Sequence, residues 1–130
     1  MDADPNPTRF RQLMLGSEPT FADVLSCVFD MRQHESTTYL MLLDTSGCTV
    51  AELADGLDRD RSNVSRSLTT LREKELVARE RQLLDGGGQV YQYTATPLDE
   101  TKELMHETLD AWAAYVHERI DEYGEDESRA

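Results

Sequence analysis

Apolar residues recur along this chain with two different periods, and the change from one to the other divides it. Phe21, Val24, Leu25, Val28 and Met31 return at intervals of three and four, which predicts a helix with one apolar face turned inward. Thr20 followed by Asp23 has the form of a capping box and opens that helix. A second helix is predicted from about Glu35 to Asp44, with Tyr39, Leu40, Leu42 and Leu43 inward, stopping near Gly47. A short third helix, Val50 to Leu57, is led in by Cys48 or Thr49 and buries Val50, Leu53, Ala54 and Leu57. Asp58 and Arg59 form a turn, and Asp60 is a good N-cap for a fourth helix from Arg61 to about Lys74. Its inward set is Val64, Leu68 and Leu71.

The period then falls to two. Val77 to Leu84 and Gln89 to Ala95 read as strands joined by the loop Asp85-Gly86-Gly87-Gly88. Thr96 is expected to cap a last helix, with Pro97 at its first position and Asp99 and Glu100 in its first turn. Running to about Tyr123, this helix would be roughly 40 Å long. Residues 1–19, with Pro5, Pro7 and Pro19, read as a flexible arm, and residues 124–130 as an acidic tail. The order helix, helix, short helix, turn, helix, hairpin is that of a winged helix-turn-helix, here over residues 20–96. The fold class is mainly α with a small β-hairpin wing, and residues 97–123 add a long C-terminal dimerisation helix.

Charge changes the picture. The 130 residues carry 26 acids against 13 bases, a formal net charge of −13. Lys74 and Lys102 are the only lysines and Ile120 the only isoleucine. A dense carboxylate surface with so little lysine suits a halophilic, and so haloarchaeal, source. The distribution matters more than the total. Residues 59–82 hold seven bases against four acids, and this is the one positive stretch of the chain. It coincides with the helix that would enter a major groove and with the first wing strand.

The solvent face of the fourth helix presents Arg61, Ser62, Asn63, Ser65, Arg66 and Thr69, with Arg59 just before it. Arginine suits guanine edges, asparagine suits adenine, and hydroxyls suit phosphates. Arg79 and Arg81 alternate along one strand, share a face, and could grip flanking phosphates. The glycines of the loop lack the lysine and the strand-to-helix setting of a phosphate-binding loop, so a wing tip is expected. On the last helix Leu98, Met105, Leu109, Trp112, Val116 and Tyr123 form a stripe, with Ile120 adjoining. A helix this long cannot bury such a stripe on so small a domain, so a homodimer is expected through these residues.

His106 and His117 fall on nearly one helix face, but two histidines without matching cysteines do not make a metal site, and no metal or other cofactor is expected. Cys27 lies in the apolar register of the first helix, which favours a small buried hydrophobe. The alternative is that Cys27 is a redox thiol, which requires an accessible thiolate. Cys48, in a turn, is expected to be the more exposed of the two. No nucleophile–base arrangement stands out, so an enzyme is not expected. Two cysteines, no signal-like N-terminus and no apolar run long enough for a membrane point to a cytoplasmic protein.

The stretch TVAELADGLDRDRSNVSRSLTTLREKELV, followed by RQLLDGGGQVYQYTATP, closely resembles the winged-helix domain of TrmB-family and MarR-like archaeal regulators. The resemblance covers roughly residues 20–123. It implies a transcriptional regulator that binds double-stranded DNA as a dimer through Arg61 to Thr69. The sequence stops short of the sugar-binding domain of the large TrmB proteins, so any signal is expected to act on this small fold directly. The rival reading is a winged helix used only for protein interaction, which would have no need of arginines at 61, 66, 79 and 81.

Overall fold

Two reciprocal capping boxes fix where the first and third helices begin. A computed structural model describes residues 19–125 except residue 46. The arm over residues 1–18 and the tail from residue 126 lie outside the described residues. Thr20 Oγ1 accepts the Asp23 N–H at 3.1 Å, and Asp23 accepts the Thr20 N–H at 2.9 Å, opening α1 (Phe21–Phe29). The same exchange between Thr49 and Glu52 opens α3 (Val50–Leu57). Between them, α2 spans Gln33–Asp44, starting two residues earlier than the periodicity predicts. Glu35 is the reason: its carboxylate reaches back to the Arg32 N–H at 2.8 Å, so it takes the third position of the helix rather than the first.

The fourth helix, α4, covers Arg61–Glu73, and α5 covers Leu98–Glu122. Two expected caps are not made. The Asp60 side chain accepts no cap hydrogen bond, and α4 starts on backbone bonds such as Val64 N–H to Asp60 O at 3.0 Å. Thr96 does not cap α5 either. Its hydroxyl donates to the Glu75 carbonyl at 2.9 Å, tying the end of the hairpin to the end of α4, and Pro97 takes the cap position.

Strands β1 (Val77–Leu83) and β2 (Gln89–Ala95) pair antiparallel, with Val77 opposite Ala95 and Arg81 opposite Tyr91. The loop between them uses Gly87 and Gly88 at φ 86° and 91°, a left-handed turn open to glycine without strain. A further pairing joins Cys48 to Tyr93 through backbone bonds of 3.0 and 2.7 Å. The residues before α3 therefore add a short third rung to the wing.

The core lies where α1, α2, α3 and α4 converge on the base of the hairpin. Leu25, Leu42, Leu53, Val64, Leu68, Leu71 and Leu76 are all buried. Tyr39 is the polar pin of this core. Its buried hydroxyl donates to the Thr96 carbonyl at 2.8 Å and lies 2.6 Å from the Thr101 hydroxyl, so α2, the strand exit and α5 meet at one atom. Burial pushes the phenol above the usual tyrosine range, against the opposing pull of the Thr101 hydrogen bond. Tyr39→Phe leaves the Thr96 carbonyl and the Thr101 hydroxyl without this partner. A loss of about 1–3 kcal/mol is expected in urea unfolding. An unchanged midpoint would count against the pin.

Candidate nucleic-acid interface

α3 and α4 are joined by a tight turn in which Asp58 adopts a left-handed backbone, φ 52°, and the Arg59 N–H returns to the Ala54 carbonyl at 3.0 Å. Aspartate tolerates this conformation better than most side chains. The turn fixes the rotation of α4, so that Val64, Ser67, Leu68 and Leu71 face inward. On the opposite face Ser62, Ser65, Arg66 and Thr69 stand exposed at three- and four-residue spacing, with Arg61 in the first turn. Asn63, half-buried, lies at the edge of this stripe and accepts a hydrogen bond from the Arg66 guanidinium. Thr69 is oriented by its bond to the Ser65 carbonyl at 3.0 Å.

Arg79 and Arg81 are exposed on one face of β1, the same face whose base, Val77, enters the core. The Arg79 guanidinium stacks on the Tyr91 ring, 4.2 Å from its centre, which holds it above the sheet. Arg59 adjoins the α4 group, sharing one cleft with Arg61 and Asn63 and another with Asn63 and Arg66. It is half-buried in the turn and lines a cleft of about 690 Å³ between the start of α2 and α4. His34 lies in the same cleft, its Nδ1 2.9 Å from the Ser67 hydroxyl. Burial and then the Arg59 charge hold the His34 pKa below the ordinary imidazole range, with Arg32 adding to the effect and Glu35 opposing it.

The stripe on α5 divides. Met105 is buried against α1. Val116 is half-buried, and Leu109, Trp112, Ile120 and Tyr123 are exposed, with Trp112 62% accessible. The α1 helix departs from its predicted role here. Phe21 and Val24, expected inward, are 37% and 39% accessible, whereas Leu25 and Met31 of the same predicted set are buried. Both border a groove of about 360 Å³ shared with Leu109 and His106 of α5. The α1–α5 face is thus a larger apolar surface than the α5 stripe alone suggests. His106 and His117 are both exposed.

The cysteines are reversed relative to expectation. Cys27 is exposed and borders a second groove with Leu109 and Trp112. Cys48 is the less accessible one, because the rung to Tyr93 draws it against the wing, where its thiol donates to the Thr45 hydroxyl at 3.1 Å. Among the described residues no cluster of histidines, cysteines and carboxylates could hold a metal ion. No described helix is long and apolar enough to cross a membrane.

A family model described as the sugar-specific transcriptional regulator TrmB matches residues 25–99, from α1 to the start of α5. Two uncharacterized proteins of Methanocaldococcus jannaschii are similar. One is 29% identical, over 79% of this chain and 78% of the relative. The other is 32% identical, over 72% and 77%. A possible transcriptional regulator from Methanosarcina mazei Go1 is similar in structure, with a TM-score of 0.71, 27% identity, and coverage of 78% of this chain and 86% of that one. The S. aureus MepR–DNA complex contains a protein of similar fold, with a TM-score of 0.51, 19% identity, and coverage of 84% and 89%.

Proposed function

Because this chain belongs to the TrmB family of transcriptional regulators, we propose that it binds double-stranded DNA sequence-specifically, as a homodimer, with α4 in the major groove. One observation carries the reading. In a chain of net charge −13, the exposed face of α4 is free of carboxylates from Arg61 to Thr69 and is built from arginine and small hydroxyl side chains. A major groove admits a helix, and these side-chain types match base edges and phosphates. Arg79 and Arg81 extend the footprint along the backbone. The solution of a protein of this fold, MepR, together with DNA also supports the reading. Selection of duplexes from a random-sequence pool tests it. A recurring two-fold motif with half-sites about one helical turn apart is expected. Enrichment of no sequence would sink the reading.

The dimer is assigned to the α1–α5 face, through Leu109, Trp112, Val116, Ile120 and Tyr123 with Phe21 and Val24 added; Met105, expected in the same interface, is instead committed to the protomer's own core. Exposed apolar side chains clustered on two adjoining helices support this. Cys27 borders the same face, so a bulky or charged adduct on its thiol would alter how two copies meet. Hypochlorite is therefore expected to change operator occupancy in the wild type and in Cys48→Ser, and to leave Cys27→Ser unchanged. A Cys27→Ser protein that responds like the wild type removes the thiol from the mechanism.

A further inference from the structure

The cleft between α2 and α4 contains a group that the exposed stripe of α4 does not use. Arg59 lines this cleft and, on its other side, a second one with Asp55, Asp58 and Asp60; its Nη1 is buried and meets no acceptor among the described residues, these three carboxylates included. A charged donor removed from water without an acceptor is costly, and native structures nearly always supply one. The surroundings favour an anionic acceptor. Arg32 and Arg59 are both close enough to His34 to depress its pKa. Arg66 and Lys74 also line the cleft, as do the polar side chains of Asn63 and Thr70. Three carboxylates face these four cations: Asp30, Glu35 and Glu73. Glu35 is engaged in capping α2, and none of the three bonds to Arg59 Nη1. The first turn of α2 forms one wall, and the positive end of a helix dipole adds to the attraction for negative charge.

We propose that this cleft is a seat for one phosphate-type oxyanion, taken up by Arg59 with Arg32 as its second cation. A guanidinium presents parallel donors that match two oxygens of one phosphate, whereas a halide accepts at a single point. Two sources offer this chemistry. One is a backbone phosphate of bound duplex, which would continue the α4 footprint through Asn63 and rests on the DNA-binding reading above. The other is a free oxyanion acting as an effector. Either occupant would brace α4 against α2 at the end of the helix that carries Arg61 and Ser62.

The test titrates the full chain with inorganic phosphate, with ionic strength held constant by potassium chloride. The side-chain resonances of Arg59 and His34 are followed. Saturable binding of one phosphate per protomer is expected. Affinity should fall at least about tenfold in Arg59→Gln, measurably in Arg32→Gln, and not in Arg81→Gln on the wing. Absence of saturation, or equal binding in Arg59→Gln or Arg32→Gln, would overturn the seat. If Arg59→Gln fails to fold, Arg32→Gln, altered at an exposed cap, carries the comparison alone. Adding the selected duplex separates the sources. Competition between phosphate and duplex identifies a backbone phosphate as the occupant, and independent binding of both identifies a free oxyanion. A protein that binds phosphate at Arg59 but no duplex leaves the seat standing and removes the DNA-binding reading.

Discussion

Arg66→Ala is expected to weaken binding of the selected duplex by about 30-fold or more while leaving the melting temperature unchanged. Arg66 is exposed in the middle of α4, one turn from Ser62 and Thr69. Its guanidinium is steadied by Asn63 Oδ1, so little side-chain freedom is left to lose on meeting a base. A bidentate contact contributes about 1–3 kcal/mol, and a two-fold dimer loses it twice. The fold does not depend on the side chain, because the inward residues of α4 are Val64, Ser67, Leu68 and Leu71. Arg81→Ala makes the contrast. It should weaken all sequences alike and lower the salt slope, because a phosphate contact carries no sequence information. Unchanged affinity of Arg66→Ala in a mobility-shift assay would remove α4 from the role of reader.

Trp112→Glu is expected to turn the dimer into a monomer, with the mass halved in light scattering and the helix signal retained. In one protomer Trp112 is mostly exposed, so the substitution disturbs no core of its own. Across a symmetric interface it would place two carboxylates where two indoles had been buried. Loss of an aromatic anchor costs about 2 kcal/mol or more in each copy, enough to raise the dissociation constant about a thousandfold. Duplex binding should collapse with it, since one half-site contributes too little for tight binding. Deleting α5 would be a poorer experiment, because Thr101 and Met105 belong to the winged domain's own core. A dimeric mass for Trp112→Glu would relocate the interface.

Much of the fold is legible in the sequence because its local signals are strong and mutually consistent. The apolar spacing from Val50 to Leu57 specifies α3, while the choice between Cys48 and Thr49 as its cap is made only by the bonds between Thr49 and Glu52. The switch to alternation after Leu76, with glycines at the tip, specifies the hairpin. What escapes is whatever depends on a partner distant in the chain. The rung between Cys48 and Tyr93 is a single pair, too short to leave an alternating pattern, yet it decides which cysteine is covered. Thr96 has the position of a cap but finds the Glu75 carbonyl instead. Periodicity marks the apolar side of α1 without saying what meets it, so the exposure of Phe21 and Val24 is not readable. Nor is the burial of Arg59 Nη1, since an arginine in a turn between two helices gives no local sign of which of its donors will be covered.

The asymmetric anchoring of α5 makes it a lever. Thr101 and Met105 seat its first turns, and Tyr39 is the fulcrum through its hydroxyl. From Met105 to Glu122 the arm is about 26 Å long at roughly 1.5 Å per residue. A tilt of about 7° at the fulcrum would move the far end about 3 Å, close to the ~3.4 Å step between base pairs along one strand. In a dimer joined along these arms, an angular change too small to disturb either core would put the two reading helices one base pair out of step. The α1–α5 groove beside Cys27 meets this arm at Thr108, Leu109 and Trp112, beyond the seated turns, where a group wedged between the helices would act on the arm itself.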